Sequence, residues 1–153
     1  MKNPNCLFCK IIAGEIPSTK IWEDENFIAI MDINPNSEGV TLVIPKDHYD
    51  SDPTDMPDEI YSKLFLATKK IVKMLERGLG AKRVSIVIEG MGINHVHVKL
   101  YPLHGLDEKF TEMWATEKIY FDKYEGYIST QLGPQKTQGE LEEVAEKIRT
   151  FNF

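Results

Sequence analysis

No apolar run in this sequence exceeds a handful of residues, far short of the ~20 needed to cross a bilayer. The opening Met1-Lys2-Asn3-Pro4 also lacks the apolar core of a signal peptide. These absences predict a cytoplasmic protein with no membrane partner. Positive charge is in deficit, with 18 Lys and Arg against 24 Asp and Glu and a formal net charge of −6. That balance disfavours nonspecific binding to nucleic acid, so no nucleic-acid partner is expected; a small anionic substrate needs only local cations and backbone donors. There is no internal repeat and no low-complexity tract. The 153 residues, 42% apolar and 27% charged, fit one globular domain.

Cysteine is scarce too. Both cysteines lie in Cys6-Leu7-Phe8-Cys9, and in a reducing compartment that spacing suggests a metal or redox pair before a structural disulfide.

What is present reads as a succession of short elements. Leu7, Phe8, Ile11 and Ile12 outline a short helix from Leu7 to Ala13, broken by Gly14 and Pro17. Three β-rich runs follow, Thr19 to Glu23, Phe27 to Met31 and Val40 to Ile44, and predict an antiparallel meander. Ile60, Leu64, Ala67, Ile71 and Leu75 then recur at helical spacing until Gly78 and Gly80; Lys63, Lys69, Lys70 and Lys73 form its solvated face. Val84 to Glu89 and His95 to Tyr101 read as two further strands, and Leu141, Val144, Ala145 and Ile148 as a C-terminal amphipathic helix. The expected fold class is α+β: a mainly antiparallel sheet with one long helix, a short N-terminal helix and a C-terminal helical extension.

Chemistry concentrates on the last strand. Side chains alternate faces along a strand, so His95, His97, Lys99 and Tyr101 point one way, and Val96, Val98 and Leu100 the other. Two imidazoles and an ammonium in a row suit a phosphate anion. A neutral imidazole can attack phosphorus to give a phosphoramidate that water later hydrolyses, while a neighbouring cation stabilises the phosphoryl oxygens. The bland reading is a half-buried strand whose polar face happens to carry His and Lys.

Only four histidines occur, at 48, 95, 97 and 104. The two cysteines with two of these suffice for a tetrahedral zinc site, although Cys6, Cys9, His48 and His95 are not spaced as a zinc finger. A redox pair lacks its usual βαβ setting, and two small buried residues on a helix remain a third reading.

Several segments together resemble the histidine triad (HIT) family, especially its Hint-like and dinucleoside-polyphosphate hydrolase branches. They are Cys6 to Pro17, Met31-Asp32-Ile33-Asn34-Pro35, Thr41 to His48, and His95-Val96-His97-Val98-Lys99-Leu100-Tyr101, which stands where the family has His-φ-His-φ-His-φ-φ, φ being apolar. The resemblance implies that His97 is the nucleophile of a covalent nucleotidyl intermediate. It further implies that Asp32 binds the ribose hydroxyls, with Phe27 and Ile33 near the base. It makes Cys6, Cys9, His48 and His95 the ligands of a structural zinc. The implied activity is nucleotide hydrolysis or transfer at the α-phosphate of a nucleoside phosphoramidate or dinucleoside polyphosphate, by a homodimer.

Two departures stand out. Lys99 replaces the third histidine; lysine keeps a positive charge but not a near-neutral pKa. Lys99 is therefore expected to clamp the α-phosphate, and leaving groups that need a proton to depart slowly unless His104 or another donor helps. The family's Gly-Gln pair is absent, and Asn94 either substitutes for it or serves the turn. Loss of the third imidazole leaves two rivals to an enzyme: a nucleotide-binding protein without turnover, and a zinc or redox module built on Cys6 and Cys9. The HIT-like core is expected over residues 1–109 and an extension over 110–153. The extension's Trp114, Tyr120, Phe121, Tyr124 and Tyr127 are expected to be buried, over the pocket, against the core or in a dimer interface.

Overall fold

The computed structural model describes residues 3–149, with the side chains of 145–147 left out. Met1 and Lys2 of the opening segment, and the Ala145 side chain of the expected C-terminal stripe, therefore lie outside the described residues. Two units follow one another along the chain, divided between Phe110 and Thr111.

In the first unit, α1 (Leu7–Ile12) ends where Gly14 takes φ 80° and its N–H bonds to Ile11 O at 3.0 Å. The meander is β1 (Lys20–Glu23), β2 (Phe27–Met31) and β3 (Thr41–Pro45). Asp24 Oδ1 shapes its first turn by accepting from the N–H groups of Asn26 and Phe27. The long helix α2 (Asp58–Leu79) carries Asp58 and Glu59 in its first turn, where the helix dipole favours acids, and ends on Gly80 in the left-handed region. Strands β4 (Arg83–Val87) and β5 (Val98–Leu103) complete an antiparallel sheet of order β1-β2-β3-β5-β4. The fold is α+β.

The sheet is covered on both faces, and its alternation sorts the core. Phe27, Ala29, Val43, Val96, Val98 and Leu100 pack with α2 through Leu64, Ala67, Ile71 and Leu75. Ile28, Ile30, Leu42 and Ile44 face the other way, against Cys6, Phe8 and Cys9 around α1. Both layers explain why β2 and β3 read as unbroken apolar runs.

The last strand departs from expectation. His95, Val96 and His97 stand outside the ladder; β5 begins at Val98 and runs through Pro102 to Leu103. The reason is a competing partner: Val96 N–H bonds to Tyr49 O at 3.0 Å. Gly90, at φ 74°, fixes this connection against the loop after β3, because a Cβ there would stand 2.8 Å from Ser51 O. The alternation of faces nonetheless persists through the irregular stretch, with Val96 in the α2 layer and both histidine rings edge-on to Phe8.

The second unit holds α3 (Gln138–Arg149). Thr137 caps it reciprocally with Glu140: Glu140 N–H donates to Thr137 Oγ1 at 3.3 Å, and Thr137 N–H to Glu140 Oε2 at 2.8 Å. Within the single chain most of the aromatic residues expected to be buried are exposed. Trp114 is 65% exposed, and Tyr120, Tyr124 and Tyr127 are also exposed; Phe121, half-buried, meets Tyr127 edge-on. Among the described residues, 111–137 hold neither helix nor strand, only bends and irregular chain. Among the described residues no helix is long and apolar enough to cross a membrane.

Candidate functional site

Cys6 immediately precedes α1 and Cys9 lies within it; His48 follows β3, and His95 lies ahead of β5. The fold brings one donor atom of each within 4.8 Å of the others. His95 Nε2 stands 2.9 Å from Pro45 O; a carbonyl only accepts, so Nε2 carries the proton and Nδ1 holds a lone pair. His48 Nε2 faces Asp50 Oδ1 at 3.4 Å, which leaves its Nδ1 likewise. The two Nδ1 atoms are 3.3 Å apart, and the sulfurs stand 3.3 Å (Cys6) and 3.8 Å (Cys9) from His95 Nδ1. Cys9 Sγ is 3.6 Å from His48 Nδ1.

Two thiols and two imidazole nitrogens converge, a donor set that takes a cation once the thiols give up their protons. The spacing is also quantitatively apt. A tetrahedron with Zn–N of about 2.0 Å and Zn–S of about 2.3 Å has edges of roughly 3.3–3.8 Å. Burial holds the His95 pKa down at about 4, so the ring is neutral at physiological pH as a metal ligand must be. Burial also pushes the Cys9 thiol up, so a bound cation would have to draw off its proton. The donor set fits zinc. Four protein ligands leave no open coordination position, so the ion would fix the His95 segment and carry no substrate.

His97 lies one alternation further on. Its Nδ1 is 2.7 Å from His95 O, which makes Nδ1 the protonated nitrogen and leaves Nε2 with the lone pair. Burial lowers its pKa, and the charge of Lys99 adds to this, against opposing contributions from the His95 carbonyl, Asp32 and Glu89. The imidazole is therefore neutral and of the nucleophilic tautomer at neutral pH.

A cavity of about 370 Å³ opens beside it. Its floor is apolar, from Phe8, Ile11, Ile30, Leu42 and Ile93, and its titratable lining consists of Asp32, His97 and Lys99. Lys99 Nζ stands 3.1 Å from Asp32 Oδ2, and Asp32 Oδ1 accepts the Asn34 N–H at 2.8 Å. Burial penalises the Lys99 ammonium, but the hydrogen bond and charge of Asp32, with a smaller contribution from Tyr101, outweigh it and raise the pKa above the usual lysine value.

Of the residues expected at a nucleotide, Asp32, Ile33, His97 and Lys99 line the cavity, and Ile33 is 88% exposed at its rim. Phe27 does not join them. It is 2% exposed beneath α2, on the opposite face of β2 from Ile30, as the period of two requires. Asn94 is engaged elsewhere, accepting from Ser51 N–H and donating to Asp50, each at 2.9 Å. His104 donates to Glu38 O and is outside the lining. The sequence reading missed the floor: Ile30 and Leu42 carry its signal in the alternation of β2 and β3, whereas Phe8 and Ile93 are recruited from a distant helix and loop.

Residues 13–105, more than half of the chain, match the family model described as HIT domain. An uncharacterized HIT-like protein of Methanocaldococcus jannaschii is 37% identical over 123 residues, 77% of this chain and 94% of that protein. An adenosine 5'-monophosphoramidase of Saccharomyces cerevisiae is 33% identical over 119 residues, 77% of this chain and 75% of that protein. Among solved structures, a zinc-bound histidine triad family protein from Mycobacterium smegmatis superposes with a TM-score of 0.61 at 28% identity, covering 95% of this chain and 96% of that one. The chain thus belongs to the HIT family, with a lysine at the last of its three signature positions.

Proposed function

We propose that this protein is a nucleotide hydrolase or nucleotidyl transferase acting at the α-phosphate of a nucleoside phosphoramidate or dinucleoside polyphosphate. The observation that carries the reading is the backbone bond from His97 Nδ1 to His95 O, which leaves Nε2 unprotonated on a residue lining the cavity. Nε2 attacks phosphorus, the bond to the leaving group breaks, and water later cleaves the resulting P–N bond, restoring the neutral imidazole. Lys99 holds the phosphoryl oxygens and Asp32 accepts from the ribose hydroxyls; the apolar floor takes the base, with Ile33 at its edge. The monophosphoramidase relative supports the reaction class.

Cys6, Cys9, His48 and His95 would hold zinc, as the convergence of their donor atoms supports. The ion would supply structural cross-linking of α1 to the His95 segment. Free, buried cysteines accord with a reducing compartment such as the cytoplasm. We also propose a homodimer, supported by the exposed apolar side chains of the second unit.

Intact-mass spectrometry tests the reading. Brief incubation with adenosine 5'-phosphoramidate or diadenosine tetraphosphate should add one adenylyl group, absent in His97→Ala. Nucleotide binding without any adduct would favour a binding protein that has lost turnover.

A further inference from the structure

Resting on that reading of His97, we infer that the site selects its substrate by leaving group. It takes nucleoside 5'-phosphate mixed anhydrides, whose oxyacid departs as an anion, in preference to phosphoramidates, whose amine must be protonated to depart.

Only Asp32, His97 and Lys99 are titratable among the residues lining the cavity. His97 commits its Nε2 lone pair to phosphorus in the first step, and its one proton is bound to the His95 carbonyl. Asp32 is an acceptor, occupied by Lys99 and by the Asn34 N–H. Lys99 is the remaining proton source, and Asp32 holds it as an ammonium. A lysine ammonium is a weaker acid than an imidazolium by about four pKa units. Donation would also strand the Asp32 carboxylate, 11% exposed, without its partner.

As a fixed cation, by contrast, Lys99 suits a leaving group that accumulates negative charge. Nε2 forms the N–P bond while the bridging P–O bond breaks. The electron pair leaves with the carboxylate, sulfate or phosphate, and no proton moves. In the second step water attacks phosphorus, the P–N electrons return to Nε2, and the water's proton passes to solvent. Mass and charge balance without a general acid.

The test compares kcat/KM of the full-length protein, above the uncatalysed rate, for adenosine 5'-phosphoramidate, adenylyl sulfate, acetyl adenylate and diadenosine tetraphosphate. The last three separate sulfuryl, acyl and phosphoryl leaving groups. The wild type should favour at least one anhydride over the phosphoramidate by on the order of 10²-fold, the low end of what a general acid contributes. Lys99→His should lower that ratio by a similar factor.

A second measurement needs no variant. Across adenosine 5'-aryl phosphates whose phenols differ in acidity, wild-type kcat/KM should fall steeply as the phenol becomes more basic. Equal turnover of phosphoramidate and anhydrides, or no dependence on phenol acidity, with an adenylyl adduct still forming on His97, would overturn the inference and leave the nucleophile standing. Absence of an adduct from every substrate would overturn both.

Discussion

The two units differ less in composition than in what their apolar residues do. Every buried hydrophobic side chain among those described lies between Cys6 and Leu100, whereas beyond Phe110 Met113, Trp114, Tyr120, Ile128, Leu141 and Ile148 are exposed. Apolar residues become core only where a regular element aligns them with a second apolar surface. In the first unit β2 and β3 offer two such surfaces, one to α2 and one to α1. In the second, α3 has an apolar stripe, but Leu141 and Val144 on it remain about half exposed.

The contrast is broken most forcefully in the α2 layer. Leu64 is fully buried between α2 and the sheet. Leu64→Ala should cost about 2–5 kcal/mol of unfolding free energy, lost transfer and cavity together, in a denaturant titration. A cost under about 1 kcal/mol would mean that this layer is no better packed than the tail.

Next in size is the α1 layer, where the cluster proposed to hold zinc replaces part of an apolar core. Asp50 is the outer acceptor of His48 Nε2 and also receives the Asn94 amide. Asp50→Ala should weaken zinc binding by about 10–100-fold in a chelator competition, because the imidazole loses its orienting partner. Unchanged affinity would show that loop packing alone aims the ring.

The Lys99–Asp32 pair contributes less, about 1 kcal/mol or below, because Lys99 is 30% exposed. The sign follows from the raised Lys99 pKa. The contribution is fully present below the unfolded lysine value of about 10.4 and is lost as pH rises through the higher folded value. The stability gap between wild type and Lys99→Met should therefore close above about pH 10.5 and stay open at pH 8. A gap insensitive to alkali would attribute it to packing of the lysine stem.

These effects also mark what the sequence made legible. The period of two along β2 and β3 and the 3.6 period of α2 each describe one element that formed, whereas from His95 to Tyr101 the strand itself began only at Val98. The cluster of Cys6, Cys9, His48 and His95 was legible only through the resemblance, since their spacing alone leaves three readings open. What escaped depends on contacts between distant segments. Val98 starts β5 because Tyr49 O takes the Val96 N–H. Asn94 is spent on Ser51 and Asp50, and Phe27 lies on the α2 face of β2, away from the cavity floor. The Thr137–Glu140 capping box, by contrast, is a local signal that the sequence carries in full.

The smallest expected effect lies in the second unit and distinguishes an idle surface from an interface. Trp114 is 65% exposed, and its indole N–H donates to Glu112 at 2.6 Å, two residues away. At concentrations where the chain is monomeric, Trp114→Ala should change unfolding free energy by no more than about 0.5 kcal/mol, as for other exposed positions. A dimer makes Tm depend on concentration, since association stabilises only the folded chain. If the exposed rings meet a second copy, the variant's Tm should fall progressively below the wild type's as concentration rises, and its sedimentation should shift toward monomer. Equal concentration dependence in the two proteins would remove Trp114 from the interface, and a large loss at monomeric concentrations would show that the ring belongs to a core after all.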